Sequence, residues 1–279
     1  MSHYTLVTTD WLCDHLYDSN VRIVDIRGHV VPASEPLPHY FNHREDYEQS
    51  HIPGAVFIDW VQEITDPADP RHAKIAPPQR FAEVMNRHGI GPDTLVIVYD
   101  DAGSMFAARL YWALNYYGHE HVAVLDGGWQ KWTAESRPAT AEIPTYPPAH
   151  FVATPHPALI RTRDQVQATI HDPATRLLDV RTPEEYAGQF ARAPRKGHIP
   201  GAVNLPKGKF NAADGTLRPA PVLQNLIPLE QGQEAVFYCS GGVSASLGFL
   251  AARIAGIENA AIYDGSWKEW GNQEDTPIA

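Results

Sequence analysis

One of only two cysteines in this 279-residue chain lies where the backbone is expected to turn sharply. Cys239 ends the apolar run AVFYC and stands just before a helical pattern. The residues between the two are Ser240, Gly241, Gly242, Val243 and Ser244. Glycines let successive backbone N–H groups converge, and a helix N-terminus adds partial positive charge, so both features favour a thiolate. The segment therefore predicts a nucleophilic cysteine whose anionic adduct is bound by the amides of residues 240–244.

The side chains around this cysteine refine the prediction. Ser240 and Ser244 are expected to add hydroxyl donors, and Ser244 is also a candidate cap for a helix starting near Ala245. An alternative is an inert buried cysteine, but the strand–glycine–helix context favours the reactive one. The other cysteine, Cys13, lies in an apolar helical stripe and is interpreted as structural.

The elements that position this loop occur twice in the chain. Four segments return in the same order: VRIVDIRG (21–28) as RLLDVRTP (176–183), SHIPGAVFI (50–58) as GHIPGAVNL (197–205), LVIVYDDAGSMFAARLYWAL (95–114) as AVFYCSGGVSASLGFLAARI (235–254), and VLDGGWQKW (124–132) as IYDGSWKEW (262–270). Such long-period similarity predicts two homologous domains, 1–146 and 147–279. The segment 137–157 contains six prolines and is interpreted as an extended linker, with the boundary near Pro147.

Short β-branched runs alternate with amphipathic stretches in both halves. The predicted strands are VRIVDI, AVFI, LVIVYD and HVAVLD in the first half, and RLLDV, AVNL, AVFYC and AAIYD in the second. Thr9 and Thr162 are predicted N-caps, while Gly118 and Gly256 are placed to end the helices that follow the third strands. This pattern predicts an α/β fold with a mostly parallel sheet flanked by helices in each domain. Cys239 then lies at the carboxyl edge of its sheet, where such folds bind ligands.

Composition excludes several classes of function. The formal net charge of −11 argues against nucleic acid or an anionic membrane surface as a partner. We expect no membrane span and no secretory signal, and two cysteines cannot form a disulfide framework, which favours the cytoplasm. The fourteen histidines show no zinc-ligand spacing, so neither a metal nor a cofactor is predicted.

The repeated motifs resemble those of the two-domain rhodanese family of sulfurtransferases. The resemblance rests on HIPGA in each half, a D-x-R strand end, the C-x-x-G-V-S loop and a D-G-x-W segment. It implies two rhodanese folds with one working loop. It also implies that Cys239 takes sulfane sulfur from thiosulfate or 3-mercaptopyruvate, becomes a persulfide, and passes the sulfur to cyanide or a thiol, including a protein thiol.

The first half departs from this pattern at the reactive position. Asp100 stands where Cys239 stands, and a carboxylate cannot carry sulfane sulfur, so the first domain is expected to be catalytically silent. His51 and His198 open the two HIPGA segments, and their presence in both halves favours a structural turn. The roles of Arg109 and His72 are left open.

The choice of donor is indicated by basic residues. In the rhodanese family that the chain resembles, members that use thiosulfate carry basic residues directly after the cysteine. This loop has none. The loop is closer to the C-G-S-G-V-T pattern of mercaptopyruvate-using members. An arginine that the family often carries after D-x-R falls on Glu185. A second arginine of the family pattern, in a Pro-Arg pair before HIPGA, is present as Arg195. Arg195 is predicted to bind the carboxylate or sulfonate of the donor, with Arg181 or Lys196 assisting.

Two other functions are weighed against sulfur transfer. A phosphatase or arsenate reductase loop needs an arginine six positions after the cysteine, and Ala245 stands there. A non-catalytic rhodanese-like module for sulfur delivery or protein binding is compatible with the motifs, although the retained cysteine favours an enzyme. Two pseudo-symmetric domains in one chain favour a monomer.

Overall fold

The computed structural model describes residues 4–32, 35–70 and 73–279, and His72 lies outside them. The chain packs into two compact units. The first comprises residues up to 68 together with 75–156 and 212–217, and the second comprises 69–74, 157–211 and 218–279. By the order of the repeats, the segment 69–74 would belong to the first unit and 212–217 to the second. In the structure each of these segments is grouped with the other unit.

The first unit is built on a five-stranded parallel sheet of order β1-β7-β6-β2-β5. Its strands are β1 (Leu6–Val7), β2 (Val21–Asp25), β5 (Val56–Phe57), β6 (Leu95–Tyr99) and β7 (Val122–Leu125). An antiparallel pair, β3 (Gly28–Val30) and β4 (Tyr40–Asn42), stands apart from it. The helices are α1 (Thr9–Asp14), α2 (Arg44–Gln49), α3 (Pro78–Arg87), α4 (Met105–Tyr116) and α5 (Gly128–Ala134).

The second unit repeats this architecture, with a parallel sheet of order β10-β9-β11-β12-β8. Its strands are β8 (Ile160–Arg161), β9 (Thr175–Asp179), β10 (Val203–Asn204), β11 (Glu234–Tyr238) and β12 (Ala260–Tyr263). Its helices are α6 (Arg163–Thr169), α7 (Pro183–Tyr186), α8 (Ala220–Leu226), α9 (Val243–Ile254) and α10 (Ser266–Trp270). Two 3-10 helices, Pro157–Leu159 and Lys207–Lys209, complete it.

Apolar strands explain why both sheets are parallel and internal. Strands β6 and β11, at the centre of their sheets, are buried over their last four residues. The long helices α4 and α9 that follow them are mostly buried too. Parallel strands joined through helices are covered on both faces, which is what continuous apolar runs permit. The predicted α/β fold with two parallel, helix-flanked sheets is confirmed.

Local details differ from the sequence predictions. The N-cap of α1 is Thr8, whose hydroxyl accepts from the Trp11 N–H, because Thr9 instead donates to Glu135. Thr162 caps α6 in a capping box, as predicted. The two-residue edge strands β1 and β8 and the β3–β4 pair were missed, since such short segments carry no measurable periodicity.

The proline-rich segment packs along the first unit without forming a helix or strand of its own. Ala149 donates to the Asn86 carbonyl, Thr154 to that of Tyr117, and His156 to that of Tyr116. The boundary predicted near Pro147 therefore falls inside a stretch held against the first unit as far as His156.

Candidate active site

Cys239 is the first residue after β11, at the carboxyl edge of the second sheet. Helix α9 begins at Val243, two residues before the predicted start, because Gly242 takes a left-handed backbone conformation with φ of 92°. A Cβ atom at Gly242 would lie 2.5 Å from Asp264 Oδ1 and 2.6 Å from the Asp264 carbonyl oxygen. Glycine is thus required here both by the backbone angle and by the neighbouring aspartate.

The sulfur atom of Cys239 points into this turn. The Cys239 side chain is buried, with the residue 4% exposed, and its Sγ accepts a hydrogen bond from the Gly242 N–H at 3.1 Å. A backbone amide at the start of a twelve-residue helix therefore already faces the sulfur. Amide donors at the start of a helix form a site where a negative group can bind.

The turn is also fixed from the next strand-to-helix connection. The Cys239 N–H donates to Ser266 Oγ at 3.1 Å, and the Trp267 N–H donates to the Cys239 carbonyl at 2.9 Å. The Lys268 N–H donates to the Ser240 carbonyl at 2.8 Å. The start of α10, which belongs to the D-G-x-W segment, therefore sets the position of the cysteine backbone.

The matching turn in the first unit shows what such a loop can bind. Asp100 follows β6 as Cys239 follows β11, and it is 1% exposed. Its Oδ1 accepts from the N–H groups of Ala102 and Ser104 at 3.0 and 2.9 Å, and its Oδ2 from those of Phe106 and Ala107 at 2.7 and 2.9 Å. Burial raises the pKa of Asp100, and the four amide hydrogen bonds oppose that shift. The turn between β6 and α4 thus directs four backbone N–H donors at one negative group.

The D-x-R motif of the second unit is a buried ion pair. The Arg181 Nε donates to both Asp179 carboxylate oxygens at 3.0 Å, and one Nη donates to the Gly197 carbonyl at 2.9 Å. The guanidinium carbon also lies 4.5 Å from the Trp267 ring centroid. Arg181 is 3% exposed. These contacts tie the strand end to the HIPGA turn and give no support to the predicted donor contact of Arg181.

The first unit contains the same arrangement. The Arg27 Nε donates to both oxygens of Asp25, one Nη donates to the Ser50 carbonyl at 2.7 Å, and the guanidinium lies 4.5 Å from the Trp129 ring. Burial raises the pKa of Asp25 to about 6, against the opposing charge of Arg27. Tyr99 donates to Asp25 at 2.5 Å. Because this network recurs around Asp100, it serves the fold rather than the cysteine.

The HIPGA histidines are held in equivalent turns. His51 Nδ1 is 2.7 Å from the Tyr47 carbonyl oxygen with the two rings stacked, and His198 Nδ1 is 2.9 Å from the Tyr186 carbonyl oxygen with the same stacking. The structural interpretation of both histidines agrees with these contacts.

Arg195 is engaged by the last residues of the chain. Its guanidinium donates to the carbonyl of Gln273, to Thr276 Oγ1 at 3.1 Å and to the Thr276 carbonyl at 2.7 Å. Its neighbour Lys196 is exposed, and the ammonium donates to the Gln189 carbonyl at 3.2 Å. The structure therefore places Arg195 in a contact that holds the segment 271–279, while Lys196 faces solvent.

Ser240 donates its hydroxyl proton elsewhere, and Ser244 does not cap the following helix. The Ser240 hydroxyl donates to Glu185 Oε1 at 2.8 Å, so its proton is not directed at the cysteine sulfur. Ser244 is the second residue of α9, and the N-cap is Gly242, which has no side chain to offer. The contact of Glu185 with the loop was missed, because its sequence pattern, T-P-E-E, predicts only a capping box at Thr182.

Of the other candidate residues, Arg109 belongs to the first unit and His72 lies outside the described residues. Arg109 is 2% exposed within α4 of the first unit, and its guanidinium carbon is 4.7 Å from the Trp112 ring centroid. Within residues 4–32, 35–70 and 73–279, no group of three or more metal-ligating side chains could hold an ion. None of the helices formed by these residues is long and apolar enough to span a bilayer.

Comparison with known proteins connects this geometry to a family. The model of the rhodanese-like domain matches residues 8–135 and 162–273. The sulfur carrier protein TtuD of Thermus thermophilus is 35% identical, covering 98% of this chain and 96% of the relative. The thiosulfate sulfurtransferase of Rattus norvegicus is 33% identical, covering 95% and 91%.

A solved structure gives the same result at the level of the fold. The crystal structure of SseA from Escherichia coli, described as a 3-mercaptopyruvate sulfotransferase, superposes with a TM-score of 0.83 at 28% identity. It covers 95% of this chain and 99% of that chain. These relatives support an enzyme of the sulfurtransferase type in general. With a match in each half and relatives that span almost its entire length, the chain belongs to the rhodanese-like family and carries two copies of the domain.

Proposed function

We propose that this protein moves sulfane sulfur from a small anionic donor, thiosulfate or 3-mercaptopyruvate, to a thiol or cyanide through a persulfide on Cys239. The observation that carries the proposal is the Cys239 turn, where the sulfur receives an amide N–H at the start of α9. The Asp100 loop supports it, because the same kind of turn in the same chain binds a negative group through four amides.

The transfer proceeds in two displacements. The Cys239 thiolate attacks the outer sulfur of thiosulfate, the new S–S bond forms, the bond to the sulfonate group breaks, and sulfite leaves with the electron pair. With 3-mercaptopyruvate the C–S bond breaks instead, and the departing enolate of pyruvate takes the proton of the donor thiol. In the second displacement a thiolate or cyanide attacks the outer persulfide sulfur and releases the Cys239 thiolate.

The loop amides act on the charge that this chemistry generates. A persulfide on Cys239 extends the negative charge by one atom toward the start of α9, where N–H groups and the helix dipole favour an anion. The contacts of Ser266, Trp267 and Lys268 fix the backbone of Cys239 and Ser240, so the reacting residue need not be repositioned during transfer.

We infer that the first unit is catalytically silent. Asp100 occupies its own loop with a carboxylate that cannot accept sulfane sulfur, and it fills the amides that would otherwise receive an anion. The partition into a silent domain 1–146 and a working domain 147–279 belongs to the same proposal.

Intact mass spectrometry tests the reaction. Incubation with thiosulfate or with 3-mercaptopyruvate should add one sulfur atom to the chain, and cyanide should remove it as thiocyanate. Cys239→Ser should abolish the adduct, whereas Cys13→Ser, which removes the other cysteine, should leave it unchanged. An adduct retained in Cys239→Ser, or no adduct with either donor, would contradict the proposal.

The relative named a sulfur carrier protein favours a second outcome for the same cysteine. In that case the acceptor is a protein thiol rather than a small molecule. A loaded chain that keeps its sulfur in the presence of cyanide and of small thiols, but releases it to a partner protein, would distinguish delivery from small-molecule turnover.

A further inference from the structure

The carboxylate of Glu185 contacts the cysteine loop directly. Its Oε1 accepts from the Ser240 hydroxyl at 2.8 Å, and Ser240 is the residue next to Cys239. Its Oε2 accepts from the Thr182 N–H, and the Glu185 N–H donates back to the Thr182 hydroxyl. Both carboxylate oxygens therefore accept hydrogen bonds, one from the cysteine loop and one from the residue that caps α7.

Glu185 is held in this position by its own helix. It is the third residue of α7, where it closes the capping box with Thr182, and it is 8% exposed. A charge fixed by a capping box cannot turn away from the loop as a solvent-exposed glutamate would. Its low exposure also means that water screens its field weakly.

Glu185 lies near an ion pair whose two charges already neutralise each other. The nearby guanidinium of Arg181 is already paired with both oxygens of Asp179, so the three groups together carry one negative charge. Asp264 Oδ1 also lies near the turn, 2.5 Å from the position that a Cβ of Gly242 would take. Two carboxylates thus flank a loop that contains no basic residue of its own.

We propose that Glu185 is a specificity-determining residue that selects against doubly charged sulfur donors and in favour of singly charged ones such as 3-mercaptopyruvate. The inference rests on the proposed function of Cys239 and names the donor class of that same site. Repulsion between Glu185 and the donor scales with the charge of the donor. The repulsion energy is therefore about twice as large for doubly charged thiosulfate as for singly charged 3-mercaptopyruvate.

The Ser240 contact strengthens this discrimination. Because its hydroxyl proton is donated to Glu185, Ser240 presents only oxygen lone pairs to an incoming donor. An anionic sulfonate gains no hydrogen bond from the Ser240 side chain. It must then bind to the same loop amides that donate to the Cys239 sulfur.

The decisive variant is Glu185→Gln, which removes the charge, keeps the capping-box residue type, and leaves one carbonyl oxygen and one NH2 group to face Thr182 and Ser240. The matched control is Glu184→Gln, which removes the same charge from the adjacent, exposed position of α7. Thermal melting of each variant checks that the fold is intact.

The measurement is the second-order rate constant for sulfur uptake by Cys239, followed by quenching and intact mass, for each donor separately. Glu185→Gln should raise the constant about fivefold for 3-mercaptopyruvate and about 25-fold for thiosulfate, and added salt should reduce both effects. Glu184→Gln should leave the ratio of the two constants at the wild-type value. A purely structural role of Glu185 would change both constants by one common factor.

An unchanged or lower thiosulfate-to-mercaptopyruvate ratio in Glu185→Gln, with sulfur uptake intact in the wild type, would overturn this inference alone. A wild-type chain that takes sulfur from neither donor would overturn the proposed function and this inference with it.

Discussion

Cys239 and Asp100 occupy equivalent corners of two similar sheets, and the difference between their side chains decides what each corner does. The carboxylate of Asp100 accepts from amides as far along the chain as Ala107, and the sulfur of the shorter cysteine side chain accepts from the nearer Gly242 N–H. A cysteine extended by one sulfur atom approaches the reach of an aspartate. The Asp100 loop is therefore a useful guide to how the second loop can hold its charged adduct.

The structural role of Asp100 leads to a stability prediction. Asp100→Asn retains one carbonyl oxygen for the four N–H donors and turns an NH2 group toward the rest, so the free energy of unfolding should fall by about 1–3 kcal/mol. Urea titration measures this fall, and the exposed Asp93→Asn serves as the control. Sulfur uptake by Cys239 should be unaffected. A variant as stable as the wild type would show that the loop amides do not need an anion.

At the level of elements, the sequence predicted more of the sheet than of the site. The apolar runs that became β6 and β11 are continuous and are followed by turn residues, which is the pattern of a buried strand. The turn after Cys239 was also predictable, because glycines between a strand and a helix are typical of a tight turn.

The side-chain partners were not predictable in the same way. Glu185 and Ser240 are 55 positions apart in the chain, and nothing in either local pattern requires them to meet. Arg195 was predicted to bind the donor because an arginine beside HIPGA resembles the family pattern, yet its partners come from the segment 271–279. Local sequence defines elements, whereas tertiary packing decides which charges are already occupied.

Arg195 gives a prediction at this scale. Arg195→Ala removes the contacts that fix the segment 271–279, so the melting temperature should drop, with a loss of about 1–3 kcal/mol in the free energy of unfolding. Kinetics with each donor test whether Arg195 also binds the donor. An increase in KM would support the predicted donor contact, and a KM equal to that of the wild type for every donor would contradict it.

Lys196→Ala is the comparison variant for this experiment. It removes the neighbouring charge from an exposed position, so the melting temperature should stay the same. If Lys196 assists donor binding, KM should rise in this variant without any loss of stability.

For the whole molecule, one buried histidine should make stability depend on pH. Burial, together with the nearby charge of His121, lowers the pKa of His119 to about 4, and the residue is 6% exposed. The unfolded chain takes up this proton near pH 6.5, before the folded chain does. The contribution of the neutral His119 is therefore complete above pH 6.5 and is lost as the pH falls toward 4.

Urea unfolding at several pH values measures this effect. Between pH 6.5 and 5 the wild type should lose about 2 kcal/mol more than His119→Gln does. His150→Gln, at an exposed histidine of the same unit, should follow the wild-type curve. Parallel curves for the wild type and His119→Gln would contradict the prediction.

The buried D-x-R networks recur in both units, around Tyr99 in one and Tyr238 in the other, and neither recruits the side chain at position 100 or 239. Evolution can therefore exchange the residue at that corner without dismantling the domain around it. Each copy of the domain keeps its architecture, and the corner at position 100 or 239 is the part of the domain most open to change.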